Sequence, residues 1–392
     1  MPLILPLTLL PACIFFANAV LYVTLYSRLP EISAAQGIPP SALGVALLAQ
    51  TGGTLVGFPF SARLIDRFGA RPVAGVMLLG ATVCLPVAAS GLLAPGFWGL
   101  ALPLFGYGFA MAVMEVAKNL IAARVEERSG KNVISKSHGF WSAGLFVGAI
   151  LGGQAASMGM TAAVELIWLG LLTLPLVLFL VLRVGDPEPM GAVPDGGPRF
   201  AKPDAFVLCL LLLVAGFSIT EGVIYDWSMF YLRDELALGA NAAAQIYAAF
   251  TFGMFTARMV GDDLRQRVRV RVLIRWMAVV TLLGILLAVL GPRFPFGLGF
   301  LFAGFSLIGA GVALAAPVAT TLAMRHPTRS ATKTMASYSL ISLLALFAVP
   351  PLMGSIVETH SAIWAILLAS PLLGGVAILA PKIVARMGSA QT

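Results

Sequence analysis

At 392 residues, with 59% hydrophobic and only 11% charged side chains and a mean hydropathy of +0.95, this chain cannot cover itself with a hydrated surface. Soluble domains carry roughly 25% charged residues. The formal net charge of +8 does not mark a nucleic-acid partner, because the basic residues fall in short clusters between apolar runs, the pattern that orients membrane proteins.

A span needs about 20 mostly apolar residues. Taken in chain order, such runs are predicted at 3–27, 41–65, 72–90, 97–122, 137–157 and 162–182. The first lacks a basic leader and is too long for a signal peptide's apolar core, so it reads as the first span. The stretch 183–204 is rich in Pro, Gly and Asp and is expected to be a linker. Runs resume at 205–231, 242–261, 272–291, 298–323, 335–357 and 361–381. The expected class is an all-α membrane protein of twelve transmembrane helices in two pseudo-symmetric six-helix bundles. The expected divisions are 1–182, a cytoplasmic linker 183–204, and 205–392.

With the N-terminus in the cytoplasm, the cytoplasmic segments hold twenty Lys and Arg residues, among them Arg63, Arg67, Arg71, Arg124, Lys131 and Arg265. The opposite loops hold three: Arg28, Arg233 and Arg293. That bias puts both termini inside a bacterial inner membrane. Cys13, Cys84 and Cys209 all lie in apolar runs without a CxxC pair, so they read as inert thiols.

An internal repeat supports duplication. Ala62-Arg63-Leu64-Ile65 ends the second span and Ala257-Arg258-Met259-Val260 the eighth, 195 positions on. Each is followed by an acidic residue and further arginines.

The run Leu64-Ile65-Asp66-Arg67-Phe68-Gly69-Ala70-Arg71 resembles the loop signature between spans two and three of the major facilitator superfamily. Ala62 and Ala70 stand where that family carries a Gly and a basic residue. An Asp can pair with arginines at a cytoplasmic helix end, and Gly69 permits a turn that a side chain would block. The runs 27–32 (SRLPEI), 115–119 (EVAKN), 137–141 (SHGFW), 221–228 (EGVIYDWS), 258–262 (RMVGD) and 350–354 (PPLMG) resemble a bacterial subgroup. It holds MosC-like and YbjJ-like proteins, with copper importers of the CcoA type and some riboflavin transporters close by. The resemblance implies the superfamily fold and solute transport by alternating access. It also implies a cytoplasmic gate at Asp66, Arg67, Gly69, Arg71, Arg258 and Asp262.

Ionisable groups inside spans are costly, roughly 2.5–3.5 kcal/mol at a helix centre, so the few present are site candidates. Glu115 and Lys118 are three apart on one helical face, with Asn119 beside them. They read either as a solute or proton site or as a buried pair that fixes packing. A Lys118 cation facing a cavity would favour an anionic or carbonyl-rich solute. Glu221 and Tyr225 share a face of the seventh span, where a carboxyl that changes protonation could couple transport to protons. Asp226 reads equally as a hydrogen-bond acceptor near the helix end. His138 can change charge near neutral pH or simply bond a loop carbonyl. Tyr107, Phe140 and Tyr225 could stack on a flat ring, and Trp141 and Trp227 read as interface anchors. Gly144, Gly148 and Gly152 recur every four residues. They suit close helix packing, and Ala149 replaces the proline of drug-exporter signatures.

The sharpest rival is a Cu(I) importer. Fifteen methionines are present, and soft thioethers suit Cu(I). Yet where resemblance to the copper importers implies a Met-x-x-x-Met in span seven and a His-x-x-x-Met in span eight, this chain reads Tyr225-x-x-x-Met229 and has no histidine in span eight. A transport-inactive receptor is the other alternative. GxxxxGK[ST], HExxH and CxxC motifs are missing, which points to gradient-driven transport rather than an enzyme. The expected partners are a small organic solute, with aromatic and anionic compounds among the candidates, protons and the bilayer, with no cofactor and a monomeric chain.

Overall fold

The computed structural model describes residues 7–131, 133–182, 204–323, 326, 334, 337–338, 341–342 and 347–389. The expected linker 183–204, apart from Asp204, and much of the expected span 335–357 lie outside the described residues. All regular structure among the described residues is helical.

Tertiary contacts divide the chain into two compact units, Met1–Val193 with Leu238–Ala248, and Pro194–Ala237 with Ala249–Thr392. The first unit contains α1 (Leu10–Ser27), α2 (Leu29–Gln36), α3 (Pro40–Phe68), α4 (Ala70–Ser90), α5 (Phe97–Ser129), α6 (Val133–Ser157) and α7 (Ala162–Leu182). The second contains α8 (Ala205–Phe230) and a π turn (Tyr231–Glu235). It also contains most of α9 (Ala240–Arg267), then α10 (Val270–Leu290), α11 (Gly297–Val312) and α12 (Ala315–Ala323). α13 (Val349–Thr359), α14 (Ala362–Leu367) and α15 (Ser370–Ser389) follow.

Helices are the only open-ended elements that satisfy every backbone N–H and C=O without water, which is why an apolar chain of this kind is built from them. Among the described residues, ten helical segments are long and apolar enough to cross a membrane. α9 is not one of them, although it runs 28 residues. Its first turns are rich in alanine and hold Asn241 and Gln245, and Arg258 sits further along. On α7 the large side chains Trp168, Ile167 and Leu172 are exposed, as expected of a face turned to lipid.

In the first unit α1 packs on α6, α3 on α5, and α4 on α5 and α7. Leu10, Ile14, Ile65, Val73, Val113 and Ile121 meet in one buried cluster. Close approach depends on glycines. A Cβ at Gly144 would stand 2.6 Å from the Phe16 carbonyl oxygen, so α6 lies directly against the α1 backbone. A Cβ at Gly53 of α3 would stand 1.9 Å from the Phe105 oxygen, and one at Gly108 of α5 1.9 Å from the Gln50 oxygen. The second unit repeats this reciprocal contact. A Cβ at Gly253 of α9 would stand 2.0 Å from the Ser306 oxygen, and one at Gly309 of α11 1.9 Å from the Phe250 oxygen. Backbone-to-backbone packing of this kind brings helices together where no hydrophobic effect drives them.

Carboxylates close several helix ends. Glu126 Oε2 accepts the Val133 and Ile134 amides at 2.7 and 3.0 Å, capping α6. Asp204 Oδ1 accepts the Val207 amide at 3.0 Å at the start of α8, and its Oδ2 meets His326 Nε2 at 2.8 Å. Acceptors at N-termini satisfy free N–H groups and favour the helix dipole.

Candidate functional site

The first unit gathers its polar side chains midway along α5. Lys118 Nζ lies 2.6 Å from Glu115 Oε2. The same nitrogen stands 4.5 Å from the Phe15 ring of α1 and 4.4 Å from the Trp141 ring of α6. The lysine side chain is 2% exposed, the glutamate 41%. Asn119 Nδ2 donates to the Glu115 carbonyl and to Glu115 Oε1, both at 2.8 Å. An ammonium taken from water loses solvation that only a close anion and ring faces can replace, and Lys118 has all three. Its charge is therefore met within the unit, whereas the Glu115 carboxylate is the open member of the pair.

Around this pair the Phe15 and His138 rings meet edge-on at 4.9 Å. Tyr22 lies 5.8 Å from Trp141 and 4.5 Å from Tyr26, whose hydroxyl donates to Gln50 Oε1 at 2.9 Å. Phe15 and Tyr22 are seven apart on α1, two turns on one face. Asn18 lies between them, fully buried, and its side-chain nitrogen and oxygen have no partner among the described residues. Tyr107 is also buried, and its hydroxyl is likewise unpartnered among those residues. Phe140 is exposed.

In the second unit Glu221 of α8 faces Arg258 of α9, with Oε1 and the guanidinium 3.9 Å apart and the side chains 30% and 31% exposed. Arg258 Nε also donates to the Ala313 carbonyl at 3.4 Å. Arg258, expected on sequence grounds among the gate residues, is thus brought to Glu221. The Asp262 side chain lies outside the described residues. Tyr225 donates to Met254 Sδ at 3.5 Å and meets the Phe250 ring edge-on at 5.4 Å. Asp226 is half-buried one residue on, and Trp227 is fully buried rather than placed at an interface. Met254 is buried whereas Met259 is exposed, so these two thioethers point to different faces of α9. Among the described residues no His, Cys, Asp and Glu cluster could hold a metal ion.

The loop after α3 is built on Gly69, which takes φ +83° and ψ 151°, a region that penalises any side chain. Its amide donates to the Ile65 carbonyl at 2.8 Å. Asp66 and Arg67 are exposed, with the Arg67 guanidinium 5.1 Å over the Phe68 ring, and Arg71 is half-buried in the first turn of α4.

One polar centre escaped the sequence reading. Arg28, between α1 and α2, is almost wholly buried. Its Nε pairs with Glu31, and its terminal nitrogens reach Glu165 Oε2 at 2.5 Å, the Gly152 carbonyl at 3.2 Å and the Met160 carbonyl at 2.5 Å. Burial pulls the guanidinium's pKa below its ordinary value, and the Glu165 charge opposes that fall. One side chain thereby ties α1, α2, the end of α6 and the start of α7. A hollow of about 550 Å³, lined in part by Arg28, Glu31, Ser90 and Thr161, lies beside it.

Residues 11–350 match the family model described as Major Facilitator Superfamily. The chain is 31% identical to the uncharacterized transporter y4wD of Sinorhizobium fredii over 376 residues, covering 94% of this chain and 95% of that protein. It is 25% identical to the membrane protein MosC of Rhizobium meliloti over 358 residues, covering 88% and 82% respectively. Among solved structures, the nucleoside transporter NupG aligns with a TM-score of 0.72 at 14% identity, covering 97% of this chain and 99% of that one. At that identity the likeness is one of fold.

Proposed function

Because the chain belongs to the Major Facilitator Superfamily, a family of multi-pass membrane transporters, we propose that it is a secondary active transporter that carries a small organic solute across a bacterial inner membrane by alternating access, coupled to protons. The observation that carries this reading is the half-open Glu221–Arg258 pair at 3.9 Å. The two groups are close enough to attract and too far apart to be locked by a hydrogen bond. A proton on Glu221 cancels the attraction and leaves Arg258 on the Ala313 carbonyl; loss of the proton draws the guanidinium back to α8. Proton occupancy is thereby converted into a link between α8 and α9 that is made or released.

In this reading Glu115, Asn119 and Tyr225 form the solute-facing set, Lys118 holds Glu115 in place from behind, and His138 and Asp226 belong to the proton and solute pathway. Asp66, Arg67, Gly69, Arg71 and Asp262 form the cytoplasmic gate with Arg258, both termini are cytoplasmic, and the chain works as a monomer in the bilayer.

The test uses the purified chain in proteoliposomes loaded with a pH-sensitive dye. Flavins, sugars, organic acids and Cu(I) are offered in turn with an imposed pH gradient. The expected result is solute-dependent proton movement that Glu221→Gln abolishes while solute exchange at equilibrium survives. Solute uptake indifferent to both the gradient and the substitution would overturn the coupling.

A further inference from the structure

The polar face of α5 has a one-sided hydrogen-bonding character. Lys118 Nζ is spent on Glu115 Oε2 at 2.6 Å and on the Phe15 and Trp141 rings at 4.5 and 4.4 Å. At 2% exposure it offers nothing outward. Asn119 Nδ2 spends both protons on Glu115, on its carbonyl and on Oε1. Both of these partners can only accept, which fixes the amide with its nitrogen toward them. Every donor of the segment is thus turned inward.

What stays open are acceptors. An ionised carboxylate offers about four lone-pair sites. Glu115 uses one on Lys118 and one on Asn119, and its side chain is 41% exposed. The Asn119 carbonyl oxygen takes no donor among the described residues and sits on a half-buried side chain. A carboxylate exposed near the middle of a 33-residue span cannot face acyl chains without a cost of several kcal/mol, so its open side meets water. Tyr22 and Trp141, both half-buried and with ring centroids 5.8 Å apart, supply flat apolar faces on the neighbouring helices.

We infer that Glu115 and Asn119 select a ring-bearing solute by the hydrogen bonds it donates, taking amines and hydroxyls and rejecting carboxylates. This rests on the transporter reading above and names its solute class. Lys118 is a positioning residue: it holds the carboxylate in place and screens it, and it receives no anion. A carboxylate solute would meet Glu115 with like charge and no free donor, and buried polar sites discriminate strongly against a group that leaves them unpaired.

The experiment uses the full chain in detergent and three sets of probes, each with one body and three head groups. Tyramine, tyrosol and 4-hydroxyphenylacetate form one set; the benzyl and indolylethyl amines, alcohols and acids form the others. Ligand-induced thermal stabilisation is titrated for each. The expected order is amine, then alcohol, with the acid at least about tenfold weaker, a difference of roughly 1.4 kcal/mol. Glu115→Gln should erase the amine's advantage over the alcohol while alcohol binding persists. Lys118→Met, verified as folded by gel filtration, should still reject the acids. Preferential binding of acids overturns the inference, as does a wild-type chain that none of the nine probes stabilises at millimolar concentration. Uptake of a bound probe into proteoliposomes is measured separately. Binding in the expected order without uptake refutes the transport reading alone, and uptake that prefers acids refutes the selection alone.

Discussion

Replacing Arg28 by Ala should be among the most damaging single changes outside the proposed solute-facing set. The guanidinium holds Glu165, Glu31 and two backbone carbonyls, and both it and Glu165 are nearly sealed from water, with side chains 4% and 5% exposed. Its removal leaves a buried carboxylate without a counter-ion, which costs about 3–5 kcal/mol. Proton uptake by Glu165 offsets part of this, so the lower end, about 3 kcal/mol or roughly a hundredfold in the folding equilibrium, is expected. The measurement is unfolding in mixed micelles titrated with a denaturing detergent and followed by helical circular dichroism. Glu165→Leu alone should also destabilise, because it removes the buried counter-ion of Arg28 and leaves that cation only Glu31 and the two carbonyls. The double variant Arg28→Met/Glu165→Leu should be more stable than the sum of the single effects by at least about 2 kcal/mol. If the effects of Arg28→Met, Glu165→Leu and the double variant add to within about 0.5 kcal/mol, the two charges are not coupled and the clamp described here does not exist.

Two glycines on different helices should respond in opposite ways to one added methyl group. Gly148→Ala puts a Cβ 2.5 Å from Val23 Cγ1 and 3.0 Å from the Val20 carbonyl. It should lower the same unfolding free energy by about 1–3 kcal/mol. Gly222→Ala meets nothing within 4 Å and should be neutral or stabilising by up to about 1 kcal/mol. Asp204→Ala removes the cap on the Val207 amide and the contact with His326. It should cost about 1 kcal/mol and speed amide hydrogen exchange in the first turn of α8.

The spans were legible because a bilayer imposes one length and one polarity on every crossing element, and a loop with three arginines around Gly69 leaves little doubt about where a span ends. The Glu115–Lys118 pair was legible from its spacing. Its two ring neighbours were not, since Phe15 and Trp141 lie on other helices and only tertiary packing brings them to the ammonium. The repeated motif drew attention to Arg258 as a gate residue but carried no information about depth, which is what sets it opposite Glu221. In the sequence Arg28 reads as a loop cation, and Glu165 stands 137 positions away. A signal did exist. Glu165 opens an otherwise apolar α7, and an ionisable group there calls for a partner. Arg28 follows α1 at the same side of the membrane in the predicted topology. Matching lone charges by predicted depth would have joined them.

At the reciprocal glycine contacts between α3 and α5, and between α9 and α11, no side chain stands between the two backbones. Two carbonyls seated on bare Cα atoms make each pair of helices act as one stiff strut. The helical run of the second unit is interrupted at Ala313 and Leu314, between α11 and α12, so a bend is expected there before it is expected at the glycine contacts. The Ala313 carbonyl at that joint accepts from Arg258 Nε, so the same cation that answers Glu221 also ties α9 to the break in the helix it packs against.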